Sequence, residues 1–491
     1  MSSVTEQLHV FFLPFMAHGH TIPMIDISRL FASQGIKCTI ITTPLNVPYF
    51  TEPLSRNKKL GLDISIQIIE FPSVPGLPKG CEDIDSVPSP AMMQYFFKAL
   101  ALLEQPVEDL LTELRPHCLV SDMFFPWSAE LANKHGIPRL VFYGMACFPH
   151  CAIINIKRYT PFKNVGSNTE PFVVPGLPHR VEMTRSELAD HIICEGAGFG
   201  SGIIGEVERA ELKSFGVIVN SFYDLEPDYN DYFIKEMGRR VWSIGPVSLY
   251  NVDKATRGKK SALDEKFWSS WLDSRKPDSV LYVCFGSSSQ FGTDQLLEIA
   301  MGLEASEVPF IWVVKMSDNT VDKNRFPPKG FQEKINGKGL IITDWAPQVL
   351  ILEHQAIGGF MTHCGWNSIL EGVTAGLPFI TWPVFADQFY NEKLITQVLQ
   401  IGVSAGNGIW NEWRTPESVS VNKEMVENAV NKVMQNSVDA DAMRSKAKKL
   451  GVKANKSVEE GGTSFKNWHS LIEELKVQTQ KSESRRYLVC N

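Results

Sequence analysis

The sequence predicts an α/β protein with two domains, each built around a parallel sheet, and three observations support this. Short apolar runs alternate with helical patterns in both halves, which is typical of parallel α/β layers. A polar and basic stretch at residues 248–265 separates the halves and has the composition of an exposed linker. The chain has 491 residues, enough for two large domains.

The strands of the first half are expected at residues 8–13, 37–42, 117–121 and 139–142, with helices at 22–34 and 127–134. Pro23 would then lie in the first turn of its helix, where proline is tolerated. The second half repeats the alternation, with strands at 280–285, 310–314, 339–342 and 357–361 and a helix at 367–375. We therefore expect a first domain at 1–247, the linker at 248–265, a second domain at 266–461, and a helical tail at 462–491 that packs back on the first domain.

Composition excludes several classes of protein. Hydrophobic residues make up 44% of the chain and charged residues 21%, which is typical of a globular protein with an ample core. The net charge of −7 argues against nucleic acid and anionic membrane surfaces as partners. No apolar run approaches the roughly 18 residues of a membrane span, and the N-terminus lacks the features of a secretory signal. Nine scattered cysteines indicate reduced thiols, so we expect a cytoplasmic protein.

The stretch from Trp345 to Gln388 is the most specific feature of the sequence. Its characteristic residues stand at fixed offsets: Trp345, Ala346, Pro347, Gln348, His354, Gly358, Gly359, Phe360, His363, Gly365, Trp366, Asn367, Ser368, Glu371, Gly376, Pro378, Pro383, Asp387 and Gln388. So many specified positions make a chance match negligible. The stretch resembles the donor-binding signature of plant secondary-metabolite UDP-dependent glycosyltransferases, complete over its 44 residues.

A UDP-sugar presents a flat base, a ribose diol, a diphosphate and a polyhydroxylated ring, and each needs a different partner. The indole face of Trp345 suits the base, and the carboxylate of Glu371 can accept hydrogen bonds from the diol. A diphosphate prefers a helix N-terminus. The other residues that the resemblance implies are the backbone of Ala346 and Gln348 for the uracil edge, Ser287, His363, Asn367 and Ser368 for the phosphates, and Trp366, Asp387 and Gln388 for the sugar.

Two histidines follow the first predicted strand, in the segment from Phe15 to Pro23. Histidine suits the deprotonation of a hydroxyl because its pKa lies near working pH. In the glycosyltransferases that this chain resembles, the catalytic histidine lies three residues before a proline, which indicates His20, with His18 as the competitor. The resemblance also implies that Asp122 orients this histidine. The alternative role for Asp122 is a helix cap or a turn.

The resemblance covers nearly the whole chain and implies a GT-B type of fold, in which two Rossmann-like domains face each other across a cleft. The second domain would bind the UDP-sugar and the first the acceptor. Candidate acceptor contacts follow strand ends, and each of them is equally suited to the core: Met16, Phe124, Phe125, Met145 and Phe148.

The implied activity is the inverting transfer of a sugar, glucose in the first place, from a UDP-sugar to a hydroxyl of a small lipophilic plant metabolite. The resemblance also implies that this protein is a monomer and that it needs no cofactor and no metal. A triterpenoid or saponin aglycone, or its glycoside, is the favoured acceptor, and a flavonoid or coumarin is the alternative. UDP-galactose, UDP-xylose and UDP-glucuronate remain open as donors.

Other interpretations are weaker. Asp83-Ile-Asp85 and Asp439-Ala-Asp441 have the spacing of a metal-binding triplet, but a match of three residues is weak and we expect loops or caps. The glycines at 196–202 alternate and do not form a dinucleotide fingerprint, which disfavours a dehydrogenase. A non-catalytic UDP-sugar-binding protein is the alternative class, and it would not need a pair formed by His20 and Asp122.

Overall fold

The computed structural model describes residues 7–194, 201–251, 265–316, 321–412 and 419–489. The fold has two compact units. The first comprises the described parts of Met1–Ala146, Gly196–Gly258 and Lys456–Asn491, and the second those of Cys147–Glu195 and Lys259–Asn455. The glycines at 196–200 and most of the expected linker, residues 252–264, lie outside the described residues. Among the helices that are described, none is both long and apolar enough to cross a membrane.

The strands are β1 His9–Leu13, β2 Lys37–Thr42, β3 Ile64–Ile68, β4 Cys118–Asp122, β5 Arg139–Tyr143, β6 Pro171–Val173, β7 Glu182–Thr184, β8 Gly216–Val219, β9 Val241–Ser243, β10 Val280–Cys284, β11 Phe310–Val314, β12 Gly339–Thr343, β13 Ile357–Thr362, β14 Phe379–Thr381 and β15 Gly402–Ser404.

The helices are α1 His18–Ala32, α2 Pro48–Lys59, α3 Met93–Ala101, α4 Glu104–Leu114, α5 Ser128–Lys134, α6 Cys147–Tyr159, α7 Asp190–Ile193, α8 Ser201–Lys213, α9 Pro227–Lys235, α10 Glu265–Asp273, α11 Thr293–Ala305, α12 Phe331–Lys334, α13 Gln348–Leu352, α14 Trp366–Thr374, α15 Gln388–Lys393, α16 Lys423–Met434, α17 Val438–Val458 and α18 Thr463–Val489.

Each unit contains one sheet in which all strands run parallel. The order is β3-β2-β1-β4-β5-β8-β9 in the first unit and β12-β11-β10-β13-β14-β15 in the second. In both sheets the chain starts in the middle, winds to one edge, returns and winds to the other. Ligands of such doubly wound sheets bind beyond the carboxyl ends of the strands where the winding reverses. That point lies between β1 and β4 in the first unit and between β10 and β13 in the second.

Buried apolar residues explain why the strands form where the sequence predicts them. Strands β1, β4 and β5 are buried along their whole length, as expected for a parallel sheet covered by helices on both faces. The C-terminal helix α18 adds to the core of the first unit through Trp468, whose ring lies 4.5 Å from that of Phe31, centroid to centroid. The two-domain α/β fold that the sequence predicts is therefore confirmed.

Helix α1 begins one turn earlier than expected. Ala17 has extended backbone and caps the helix, and its carbonyl accepts hydrogen bonds from the N–H groups of His20 and Thr21 at 3.0 and 2.8 Å. Pro23 is consequently inside the helix, and the expectation that it lies in the first turn was wrong. The first turn is instead His18-Gly19-His20, which places both histidines on the helix.

The units also differ from the expected domain boundaries, because residues 147–195 belong to the second unit. Buried polar contacts tie this segment to the region after β14. The ammonium of Lys393 donates to the carboxylate of Glu187 at 2.6 Å, and the side chain of Gln397 bonds the backbone of Glu182 through both its oxygen and its nitrogen, at 2.9 and 3.0 Å.

Candidate active site

In the first unit, His20 and Asp122 lie at the carboxyl ends of the neighbouring strands β1 and β4. His20 stands in the first turn of α1, and its Nδ1 donates to Oδ2 of Asp122 at 2.7 Å. Asp122 is the last residue of β4 and is completely buried, with Oδ1 accepting from the N–H of Phe124 at 3.1 Å. Because Nδ1 carries the proton, the basic lone pair of neutral His20 is on Nε2. The His20 side chain keeps 21% exposure, so this ring can meet a ligand.

The competing histidine has a different environment. The His18 side chain is 6% exposed, its Nδ1 lies 3.2 Å from Oδ2 of Asp85, and the ring of Tyr49 packs edge-on against it at 4.7 Å. Asp83 caps the short 3-10 helix Ile84–Ser86 and accepts from the N–H of Asp85 at 2.7 Å. Asp83 is therefore a helix cap, as expected, and the ligand atoms of His18, Asp83 and Asp85 also lie within 4.8 Å of one another, close enough to hold a metal ion. Burial makes His18 the poorer candidate for a base.

Aromatic side chains surround His20. The ring of Phe15 lies 5.3 Å from that of His20, and the ring of Phe124 lies 5.7 Å from it. Phe97, from α3, packs 5.7 Å from Phe124 and 6.1 Å from Phe15. We call Phe15, Phe97 and Phe124 the aromatic cluster. The sequence analysis missed Phe15 and Phe97. Phe97 lies 77 residues from His20 in the chain, and no local pattern indicated that these two residues meet.

Gly144, just after β5, backs onto the His20 ring. A Cβ atom added at Gly144 would lie 2.9 Å from Cε1 of His20 and 3.2 Å from both ring nitrogens. Carbon atoms in contact are separated by about 3.5–4.0 Å, so any larger residue would push the ring. Glycine at this position therefore allows the ring to sit against Asp122.

The five predicted acceptor contacts do not share one environment. Met16, Phe125 and Phe148 are 3%, 0% and 0% exposed, so in this structure they fill the core. Phe148 also lies in the second unit, at the start of α6. Phe124 and Met145 keep part of their surface exposed, which leaves these two as acceptor candidates.

In the second unit, the predicted donor residues follow the carboxyl ends of four parallel strands of one sheet, as the fold rule for ligand sites requires. Ser287 follows β10, and His363 follows β13. Lys315 comes directly after β11, and its ammonium donates to the carbonyl of Ser287 at 2.9 Å. Trp345, half-buried, follows β12, and Asp387 follows β14. The sequence analysis did not single out Lys315.

Gln348 contacts both the predicted ribose ligand, Glu371, and Ser368, which was predicted for the phosphates. Its Nε2 donates to Oε2 of Glu371 at 2.7 Å and to the hydroxyl of Ser368 at 3.1 Å. Its backbone N–H donates to the carbonyl of Ala346 at 2.8 Å. The side chain of Gln348 thus orients the Glu371 carboxylate, whereas the sequence analysis considered only its backbone.

Residues 363–365, which we call the phosphate turn, lead from β13 into α14. Cys364 is buried and has a left-handed backbone (φ 66°), and Gly365 caps α14, whose first turn contains Trp366, Asn367 and Ser368. The imidazole of His363 fits between two glycines. A Cβ atom at Gly286 or at Gly365 would lie 2.5 or 2.4 Å from that ring. Burial lowers the pKa of His363 to about 4, so the ring is neutral near pH 7 and the helix terminus carries the positive electrostatic potential.

Residues 386–388, which we call the sugar turn, lead into α15, whose first residue is Gln388. Oε1 of Gln388 accepts from the backbone N–H groups of Val384 and Phe385 at 2.8 and 3.0 Å. Because two donors fix the oxygen, the amide assignment is unambiguous, and Nε2 is the atom left to meet a ligand. Oδ2 of Asp387 accepts from Nδ2 of Asn391 at 2.9 Å. The turn therefore offers a carboxylate acceptor beside an amide donor.

Several other residues of the second unit have packing or local roles. Trp382 and Phe360 are completely buried. His354 makes local contacts, with Nδ1 accepting from the N–H of Ala356 at 3.2 Å. Trp366, predicted near the sugar, is only 3% exposed and packs as the first residue of α14. Asp441, in the second acidic triplet, pairs with Arg444 at 2.6 Å on α17.

Comparison with known proteins agrees with this geometry. Residues 246–449 match the family described as UDP-glucoronosyl and UDP-glucosyl transferase. The chain is 48% identical to scopoletin glucosyltransferase of Nicotiana tabacum, over 96% of this chain and 98% of that protein. It is also 48% identical to UDP-glucose flavonoid 3-O-glucosyltransferase 7 of Fragaria ananassa, over 96% of both.

A solved structure agrees over the whole length. Glycyrrhiza uralensis UGT73P12, complexed with glycyrrhetinic acid 3-O-monoglucuronide, superposes with a TM-score of 0.91 at 38% identity, covering 99% of both chains. The fold is thus of the GT-B type. Full-length identity at this level, a matching family model and the complete donor signature together lead to one conclusion: this chain belongs to the plant UDP-glycosyltransferases and is a transferase.

Proposed function

We propose that this enzyme transfers glucose from UDP-glucose to a hydroxyl group of a small lipophilic plant metabolite, with inversion at the anomeric carbon. The observation that carries the proposal is the His20–Asp122 contact, in which a buried carboxylate orients a partly exposed imidazole at the reversal point of the first sheet. A protein that only binds a UDP-sugar would not need this pair, so the non-catalytic alternative is disfavoured.

His20 acts as the general base in this proposal. Its Nε2 takes the proton of the acceptor hydroxyl while the oxygen attacks the anomeric carbon of the donor. The bond from that carbon to the β-phosphate oxygen breaks, and UDP leaves with the electron pair. Asp122 stabilises the imidazolium that forms and keeps Nδ1 protonated beforehand. A single displacement of this kind converts an α-linked donor into a β-glycoside.

The second unit binds the donor in this proposal. Trp345 stacks on the uracil, and Glu371, oriented by Gln348, accepts from the ribose diol. The phosphate turn, Ser287 and the N-terminus of α14 bind the diphosphate. Neutral His363 contributes as a hydrogen-bond donor, and the charge complement comes from the helix terminus. In this proposal no metal is needed, because backbone and side-chain donors at the helix terminus replace it.

Glucose is the proposed sugar because the two relatives described above are both named as glucosyltransferases. The sugar turn supports a selective site, since Asp387 can accept from one hydroxyl and Nε2 of Gln388 can donate to another. UDP-galactose, UDP-xylose and UDP-glucuronate are the competing donors, and each changes a hydroxyl or substituent of the ring.

A flat phenolic compound, a coumarin or a flavonoid, is the first proposed acceptor. The two relatives are named for scopoletin and for a flavonoid, and the aromatic cluster beside His20 offers ring faces for stacking. A triterpenoid or its glycoside is the second, because the superposed UGT73P12 structure contains glycyrrhetinic acid monoglucuronide. We further propose that the enzyme acts as a monomer, as the resemblance implies, in the cytoplasm, as its composition indicates.

The test is mass spectrometry on the purified enzyme, given coumarins, flavonoids and triterpenoids together with UDP-glucose, UDP-galactose, UDP-xylose or UDP-glucuronate. EDTA is present in one of two parallel series. We expect a mass gain of one hexose on a phenolic acceptor with UDP-glucose, equal in both series. Loss of product in EDTA would contradict metal independence. UDP-glucose binding without a product on any acceptor would support the non-catalytic alternative.

A further inference from the structure

Asn391 connects two parts of the donor site that the signature alone does not connect. It lies on α15, and its side chain is completely buried. Its Nδ2 donates to the carbonyl of Cys364 in the phosphate turn at 2.9 Å, and to Oδ2 of Asp387 in the sugar turn at 2.9 Å. One amide nitrogen therefore joins two turns that approach it from different strands, β13 and β14.

The chemistry of this position suits asparagine. Both acceptors carry negative charge, one full and one partial, and a side-chain amide has two N–H groups on a single nitrogen to meet them. Aspartate has the same shape but no donor, and it would face the Asp387 carboxylate with a like charge. Alanine would leave both acceptors without this buried partner.

Both joined turns have backbone that few residues adopt. Cys364 in the phosphate turn has φ 66°, and Ala386 in the sugar turn has φ 53°. Residues other than glycine keep such angles only where their surroundings hold them. The two hydrogen bonds of Asn391 are part of those surroundings, because they end on Cys364 itself and on the residue after Ala386.

We propose that Asn391 is a positioning residue of the donor site, which keeps Asp387 in register with the phosphate turn. The proposal rests on the proposed function, in which the phosphate turn binds the diphosphate and Asp387 binds the sugar. In a UDP-sugar these two groups are covalently linked, so the protein groups that bind them must keep a matching separation. UDP has no sugar, and its affinity depends on the phosphate turn but not on this separation.

The test compares binding of UDP and of UDP-glucose. Calorimetry gives both dissociation constants, and steady-state kinetics give kcat and KM for UDP-glucose. For Asn391→Ala we expect the affinity for UDP-glucose to fall by about tenfold or more, with a change in UDP affinity below about threefold. Asn391→Asp should lose more than Asn391→Ala because of the added repulsion.

Asn230→Ala is the matched control. Asn230 is a buried amide of the first unit that donates to the Ser243 hydroxyl at 2.7 Å. Its loss should lower thermal stability and leave both dissociation constants unchanged. A comparable loss of stability in Asn391→Ala, with a selective effect on UDP-glucose, separates positioning from folding.

A double-mutant cycle with Asp387→Ala tests whether Asn391 affects the affinity for UDP-glucose through Asp387. If Asn391 acts through Asp387, the Asn391→Ala change adds almost nothing to UDP-glucose affinity in that background. Equal losses for UDP and UDP-glucose, additive effects in the cycle, or wild-type behaviour of Asn391→Ala would each overturn the assignment. Failure of the wild-type chain to bind UDP-glucose would overturn the proposed function, and the assignment with it.

Discussion

Asp122→Asn is predicted to reduce turnover by about a thousandfold. The carboxylate oxygen lies 2.7 Å from Nδ1 of His20, so the two charges of the transition state are about 4 Å apart, centre to centre. With an effective dielectric constant of about 20, that attraction contributes about 4 kcal/mol, and each 1.4 kcal/mol is about tenfold in rate. Solvent screens it little, because Asp122 is completely buried and His20 is 21% exposed.

The asparagine also changes the proton arrangement. Its NH2 group would donate to Nδ1 of His20, which moves the ring proton to Nε2 and removes the lone pair that accepts the hydroxyl proton. The donor site lies in the other unit, so the affinity for UDP should not change. The geometry therefore predicts a fall in kcat with an unchanged UDP dissociation constant.

The assay is product formation by liquid chromatography, with UDP-glucose and the acceptor found in the panel, alongside calorimetry with UDP. Asp26→Asn is the matched control, because Asp26 is a buried carboxylate of α1 whose partners include Asn251 and Arg29, outside the site. A kcat of Asp122→Asn within about tenfold of wild type would refute the reasoning. Loss of a carboxylate that orients His20 and stabilises its charge should lower kcat by more than that.

Three further predictions follow from the structure. Since burial lowers the pKa of His363 to about 4, the affinity for UDP-glucose should stay flat from about pH 5.5 to about pH 7.5; a decline as pH rises through about 6.5 would mean that a cationic histidine binds the diphosphate. Gly144→Ala should displace the His20 ring and lower kcat at least about tenfold with unchanged UDP binding, and kinetics equal to those of the helix-surface variant Gly205→Ala would contradict this. Lys393→Met should lower the free energy of unfolding in urea by about 3–5 kcal/mol, because it leaves the buried carboxylate of Glu187 unpaired; a loss below about 1 kcal/mol would show that the pair contributes little.

The fold was predictable because the strands of a parallel sheet are buried on both faces and read as short apolar runs. Strands such as Lys37–Thr42 and Phe310–Val314 lie where the sequence predicts them. The start of α1 was not predictable in this way, because His18, Gly19 and His20 interrupt the apolar periodicity. The assignment of residues 147–195 to the second unit depends on contacts such as Lys393 with Glu187, 206 residues apart, which no local pattern indicates.

The candidate site likewise has a part that the sequence predicted and a part that it did not. The signature from Trp345 to Gln388 predicts the donor residues because its spacing is specific, and the predicted residues do follow strand ends of one sheet, where a ligand would bind. What the spacing could not indicate are the partners that orient these groups. Three such hydrogen bonds form only when the chain folds: from Gln348 to Glu371, from Lys315 to Ser287, and from Asn391 to Asp387. The burial of Phe125 similarly depends on the core around it.

The most direct test of the central claim, that His20 is the base of a glucosyl transfer, is the turnover of His20→Ala at saturating UDP-glucose, with UDP binding measured on the same protein. The account predicts no glycoside above the uncatalysed background and a UDP dissociation constant equal to that of the wild type. Turnover retained at a rate near wild type, with UDP bound normally, would contradict it.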